Sequence, residues 1–174
     1  MKLPLVSACA ALALVAAGCG AGSLPQQEIP GASEQLLTPA AVARYPATSP
    51  QRALLAWWRN AQFADRPAFL AAFVPSLRSR FEHSPRFGEQ FDYFSNGIRN
   101  AAPRILSTEI QSGRARVFTR IEYHNPIGAA RFVTSSRPQA FEFIRDASAG
   151  WLIADDTFVR STLRPMTAQS TQKG

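Results

Sequence analysis

Two adjacent carboxylates, Asp155 and Asp156, are the side chains of this sequence best suited to proton transfer. They lie in Gly150-Trp151-Leu152-Ile153-Ala154-Asp155-Asp156, which reads as part of a long final strand over 151–160. Side chains alternate along a strand, so Asp155 falls in register with Trp151, Ile153 and Thr157, and Asp156 with Leu152, Ala154 and Phe158. One of the two then points inward, where burial raises a carboxyl pKa towards the range useful for acid–base work. Tyr93 and Tyr123 are the candidate hydroxyl donors beside it. The competing reading, which we favour, pairs these aspartates with Arg120, Arg131 or Arg145, or leaves them in solvent.

Other chemistry finds less support. There is no glycine-rich phosphate loop, no His-Glu-x-x-His, no Cys-x-x-Cys and no Gly-x-Ser-x-Gly. Ser170 and Lys173 match a Ser-x-x-Lys pattern, but they sit in a polar tail without companion motifs, and we take the match as chance. Glu122 and His124 share a strand face, and Glu82-His83 adds ligand types from a loop. A metal needs three or four converging groups and the chain has only two histidines, so solvated side chains are the expectation, with neither metal nor cofactor. Trp57 and Trp58 stand about 100° apart around a helix. One therefore belongs to the core and the other to a rim where it, with Tyr93 and Tyr123, is a candidate for ligand or partner contact.

The two cysteines, Cys9 and Cys19, both lie within the first twenty residues. Lys2 precedes an apolar stretch from Leu3 to Ala17, too short to span a bilayer core, which needs about 20 residues, but of a length that suits a signal peptide. Ala16, Ala17 and Gly18 are small enough for a peptidase to approach the backbone, and Cys19 follows them with a thiol that can carry lipid. The segment resembles a bacterial lipobox, departing from it at Ala16, where leucine is commoner. The resemblance implies cleavage after residue 18, diacylglyceryl and N-acyl groups on Cys19, and a membrane-anchored envelope protein on the extracytoplasmic side. The alternative is an ordinary secretory leader cut near Gly22.

The formal charge of +7 comes almost wholly from arginine, since lysine occurs only at Lys2 and Lys173. Arginine is dispersed from Arg44 to Arg164 without forming a block, a pattern suited to anionic head groups or wall polymers rather than to nucleic acid. A hydrophobic share of 46% suffices for a packed core without disulfides.

These residues require elements to hold them. Residues 19–47, rich in Gly, Pro and Gln, read as a tether of roughly 30 Å with a turn of helix near Leu36; the alternative packs this segment on the domain through Val42 and Tyr45. Ser49-Pro50 opens a helix carrying Leu54, Trp57, Trp58 and Ala61, and Asp65 with Pro67 opens a second. Ser84-Pro85 opens a third, striped by Phe87, Phe91, Phe94 and Ile98. Strands are expected at 105–111, 116–123, 131–135, 139–145 and 151–160, with turns at Ser112-Gly113 and at 125–128 and a loop of hairpin length from Asp146 to Gly150. Helices followed by antiparallel strands give an α+β domain over 48–164, with a polar tail at 165–174.

The opening Ala53-Leu54-Leu55-Ala56-Trp57-Trp58 and the closing Gly150–Asp156 run resemble the NTF2-like, or cystatin-like, α+β cone. The stretch 74–84 lacks the short strand that many members have. The resemblance implies N-terminal helices on a curved antiparallel sheet around a conical cavity. It also implies either a non-catalytic domain that binds a small apolar ligand or docks an envelope partner, or an isomerase or dehydratase using Asp155 or Asp156. Without a catalytic signature, the binding role is the preferred expectation.

Overall fold

The computed structural model describes residues 35–128 and 131–163, so the leader, Cys19, most of the expected tether and the polar tail lie outside the described residues. Proline and short polar caps start the helices. Thr38 accepts a hydrogen bond from the Ala41 amide at the start of α1 (Pro39–Ala43), and Ser49 accepts from Arg52 at the start of α2 (Pro50–Gln62). Asp65 caps α3 (Arg66–Ala71) through the Ala68 amide, as its spacing suggests. Pro75, which in the sequence could end the second helix or start a further turn, opens a helix of its own, α4 (Pro75–Glu82). The aromatic stripe forms α5 (Phe87–Ile98), two residues after the expected Ser84-Pro85 start.

Four antiparallel strands follow in the order β1 (Ala101–Gln111), β2 (Arg114–Gly128), β3 (Arg131–Asp146) and β4 (Gly150–Ile153). A bulge between Ile105 and Ser107 shifts the β1–β2 register and bends β1. Ser112 and Gly113 make the β1–β2 turn with positive φ of 49° and 76°. The expected turn at 125–128 is instead paired backbone, because β2 and β3 form one long hairpin with Pro126 opposite Phe132. Likewise the two strands expected at 131–135 and 139–145 are one. Pro138 does not break it because β4 pairs only with Phe143–Asp146, which leaves β3 at the sheet edge around residue 138, where a proline is tolerated.

The last expected strand is corrected. Pairing stops at Ile153, and Thr157–Leu163 is a helix, α6. The Asp155 carboxylate accepts from both the amide and the hydroxyl of Thr157, at 2.9 and 2.6 Å, which turns the chain into α6. Alternation therefore ends before the aspartates. A second correction concerns the domain edge: residues 35–47, assigned to the tether, are seated on the domain. Val42 is buried, and the Gln35 amide donates to Arg99 O at 2.7 Å. This is the alternative that Val42 and Tyr45 suggested.

The helices cover the sheet face that carries Ala115, Val117, Ile121, Phe141 and Phe143. More than half of the buried side chains between them are aromatic. Trp57 stacks on Phe69 at 5.3 Å, Phe69 meets Phe91 at 4.9 Å, and Phe158 of α6 packs on Trp58 and Phe141 at 5.3 and 5.5 Å. Edge-to-face and offset arrangements of this kind add to the burial energy of each ring. Phe73 also bridges Ile153 in parallel, with Val74 N donating to Ile153 O and Ile153 N to Ala72 O. This isolated bridge lies beside β4, immediately before the stretch 74–84 that lacks a strand.

Candidate functional site

The two aspartates occupy different environments from those expected on a strand. Asp156 is buried, at 4% exposure, and its two oxygens face Arg80 of α4 and Arg160 of α6 at 2.5 and 2.9 Å. Its partners are therefore Arg80 and Arg160 rather than the expected Arg120 or Arg145, and the side chain of Arg131 lies outside the described residues. Asp155 is half-buried and engaged with Thr157. Tyr123 lies on β2 opposite Ser135, whereas β4 joins β3 at Phe143, eight residues further along. That spacing corresponds to about 26 Å, and the three residues from Ile153 to Asp156 cannot close it. Tyr123 and Asp156 are thus not brought together. Burial raises the Tyr123 pKa, against a smaller opposing effect of the Arg137 charge. Tyr93 is 44% exposed on α5.

Both tryptophans are core residues, contrary to the expectation of one at a rim. Trp57 and Trp58 are 1% and 0% exposed, with rings 6.0 Å apart and nearly perpendicular. A helix buried between a sheet and other helices can cover more than one stripe, so a 100° separation does not bring either ring to the surface. Trp58 Nε1 donates to Ala101 O at 3.1 Å, while Trp57 Nε1 has no partner within its cage of rings. Among the described residues there is no group of three His, Cys, Asp or Glu able to hold a metal ion, and Glu122 and His124 form no such cluster. No helix among them is long and apolar enough to cross a membrane.

Concavity lies instead at the surface. A cleft of ≈ 670 Å³ opens between the start of α2, the preceding Ala47–Ser49 and the β3–β4 turn. Its floor is made of small side chains, including Ala53 and Ala56, and its walls carry Arg52, Arg145 and Trp151. Each wall residue is fixed by a specific contact. The Arg145 guanidinium sits 5.7 Å from the Trp151 ring, and Trp151 Nε1 donates to Thr48 O at 2.9 Å. Arg52 Nη1 reaches Tyr45 O at 3.4 Å. Neither arginine has a carboxylate partner among the described residues, unlike Arg66, Arg80, Arg104, Arg116 and Arg160. Asp146 also borders the cleft, but its Oδ1 accepts from the Ser148 amide, the Ser148 hydroxyl and the Ala149 amide, all at 2.8 Å. These donors hold its carboxyl below the ordinary value. A second groove, of ≈ 280 Å³ on the open side of the sheet, contains Arg116 and Glu142 already paired with each other.

The cleft brings Arg52 together with Arg145 and Trp151, 93 and 99 positions further on, and nothing in their local sequence marks them. Arg52 and Arg145 look like two of many dispersed arginines, and Trp151 reads as a core residue on a strand. No family model matches the chain, and no curated protein matches it. Among solved structures, the chain is similar to the solution structure of a SEC-C motif containing protein from Rhodopseudomonas palustris. That likeness has 16% identity, covers 66% of this chain and 82% of the other, and gives a TM-score of 0.46.

Proposed function

We propose that the chain is an exported lipoprotein, anchored through Cys19 on the extracytoplasmic face of a membrane, and that its NTF2-like domain is a non-catalytic module recognising a ligand or envelope partner at its surface. One observation supports the second half of this reading: the aromatic rings between helices and sheet pack directly on one another. Phe158 lies at 2% exposure against Trp58, Phe94 and Phe141. The buried acid that would drive catalysis is engaged by two arginines. Recognition is thereby directed to the open cleft beside α2. Support for the NTF2-like assignment comes from the order of helices before an antiparallel sheet and from the parallel contact at Phe73. The anchor rests on Ala16-Ala17-Gly18-Cys19 after an apolar leader.

Two measurements test the reading separately. Cys19→Ala should abolish lipid labelling and move the protein out of the membrane fraction, because two or three acyl chains hold a protein far more firmly than one. Unchanged retention and processing would remove the anchor from the proposal. Native mass spectrometry of the mature chain after incubation with envelope extract should retain a small bound mass. Turnover of an added enolisable substrate that is lost in Asp156→Asn would replace binding with catalysis.

A further inference from the structure

Resting on that reading of a surface-binding module, we propose that the cleft between α2 and the β3–β4 turn is a binding site for a phosphate ester. Two guanidinium groups without carboxylate partners among the described residues stand on opposing elements, Arg52 on α2 and Arg145 at the end of β3. Arginine presents its N–H donors in a planar fork that matches the oxygens of a phosphate. Each side chain has one contact at the cleft wall, Arg145 with the Trp151 ring at 5.7 Å and Arg52 with Tyr45 O at 3.4 Å. Arg145 is further fixed through its backbone amide, which donates to Gly113 O at 2.8 Å.

The one acid at the rim weakens this field without cancelling it. Asp146 directs Oδ1 into its own turn, and two cations against one anion leave the cleft net positive. At ≈ 670 Å³ the space exceeds what a bare phosphate fills. Beside hydroxyl groups from Thr48, Ser49 and Ser148, the rest of the lining includes methyl and indole groups of Ala53, Ala56 and Trp151. The ligand class is therefore a phosphate carried on a small organic body, such as glycerol phosphate. That chemistry is shared by a soluble metabolite and by the head group of an anionic phospholipid.

The test uses the full chain in a non-ionic detergent and follows the Trp151 indole N–H and the arginine Nε–H resonances by NMR. Two probes separate the sources: sn-glycerol 3-phosphate, and dihexanoyl phosphatidylglycerol below its micelle concentration. Arg52→Gln and Arg145→Gln should each weaken binding by about tenfold, the effect of removing one charge-assisted hydrogen bond. Arg145→Lys should recover part of the loss. Unchanged Trp57 and Trp58 indole resonances in each variant would show that the fold is intact. Saturable shifts at the cleft with either probe, reduced in the glutamine variants, support the site, and a response to the lipid probe alone assigns it to head groups. No cleft response to either probe, or shifts that persist in the double glutamine variant, overturn it. A bound mass in the native spectrum that maps elsewhere would overturn the phosphate site while leaving a binding module in place.

Discussion

At Asp146 one carboxylate oxygen takes three hydrogen-bond donors from Ser148 and Ala149, and the turn between β3 and β4 is built on that atom. Its folded pKa is depressed, so the group stabilises the fold above the ordinary carboxylate value of about 3.9. That contribution disappears as pH falls through the lower folded value. An NMR titration of the Asp146 carboxyl should show a midpoint below about 3.9, with the Ala149 amide losing protection over the same range. A midpoint at or above the ordinary value would refute this account of the turn. Sequence reading placed a hairpin loop here from Asp, Ser and Gly alone, because the chemistry of such a turn is local. It could not find Arg52, Arg145 and Trp151 as one cleft, because their proximity arises only when α2 is laid beside the end of β3.

At the scale of elements, the same asymmetry separates what was legible from what was not. The caps at Ser49 and Asp65 and the stripe Phe87–Ile98 specify helices through neighbouring residues, and the structure has those helices. The run after Trp151 carries strand-forming residues through Ile153, yet pairing ends there: Asp155 accepts from Thr157, which turns the chain, and Asp156 is drawn between Arg80 and Arg160. Asp156 then ties α6 to α4, which no pattern within either segment discloses. Arg80 and Arg160 are 55% and 61% exposed at their side chains, so each pair alone is partly screened. The carboxylate between them is buried, however, and either arginine can offset its charge. Arg80→Ala and Arg160→Ala should therefore each cost less than about 1 kcal/mol, whereas the double variant leaves a buried carboxylate unpaired. A double-mutant cycle by urea denaturation should show an excess loss of at least about 1 kcal/mol. Strict additivity would mean that solvent already neutralises Asp156.

Across the whole molecule, the residue that joins most parts is Gln62, fully buried at the end of α2. Its Oε1 accepts from the Leu37 amide at 2.9 Å, and its Nε2 donates to Gln35 O, Ile98 O and Ala101 O at 2.8, 3.1 and 2.9 Å. One amide thus connects the N-terminal segment, the end of α5 and the start of β1. On the lipoprotein reading this clamp fixes where the tether meets the domain. The chain from Cys19 to Gln35 then reaches no more than about 55 Å, which keeps the cleft beside Ala47–Ser49 near the membrane surface. Gln62→Leu keeps the side-chain bulk but strands the Leu37 amide and the Gln35 and Ile98 carbonyls. Ala101 O still has Trp58 Nε1. Unpaired buried groups cost about 1–3 kcal/mol each, partly relieved where the segment can detach and meet water. We expect a loss of about 2–4 kcal/mol in chemical denaturation, with the Leu37 amide exchanging freely while the β2–β3 hairpin stays protected. Hydrogen exchange distinguishes the mechanisms, because a merely weakened core would lower protection everywhere. Retained protection at Leu37 with stability within about 0.5 kcal/mol of the parent would show that residues 35–47 are held by Val42 and Leu37 packing rather than by the glutamine.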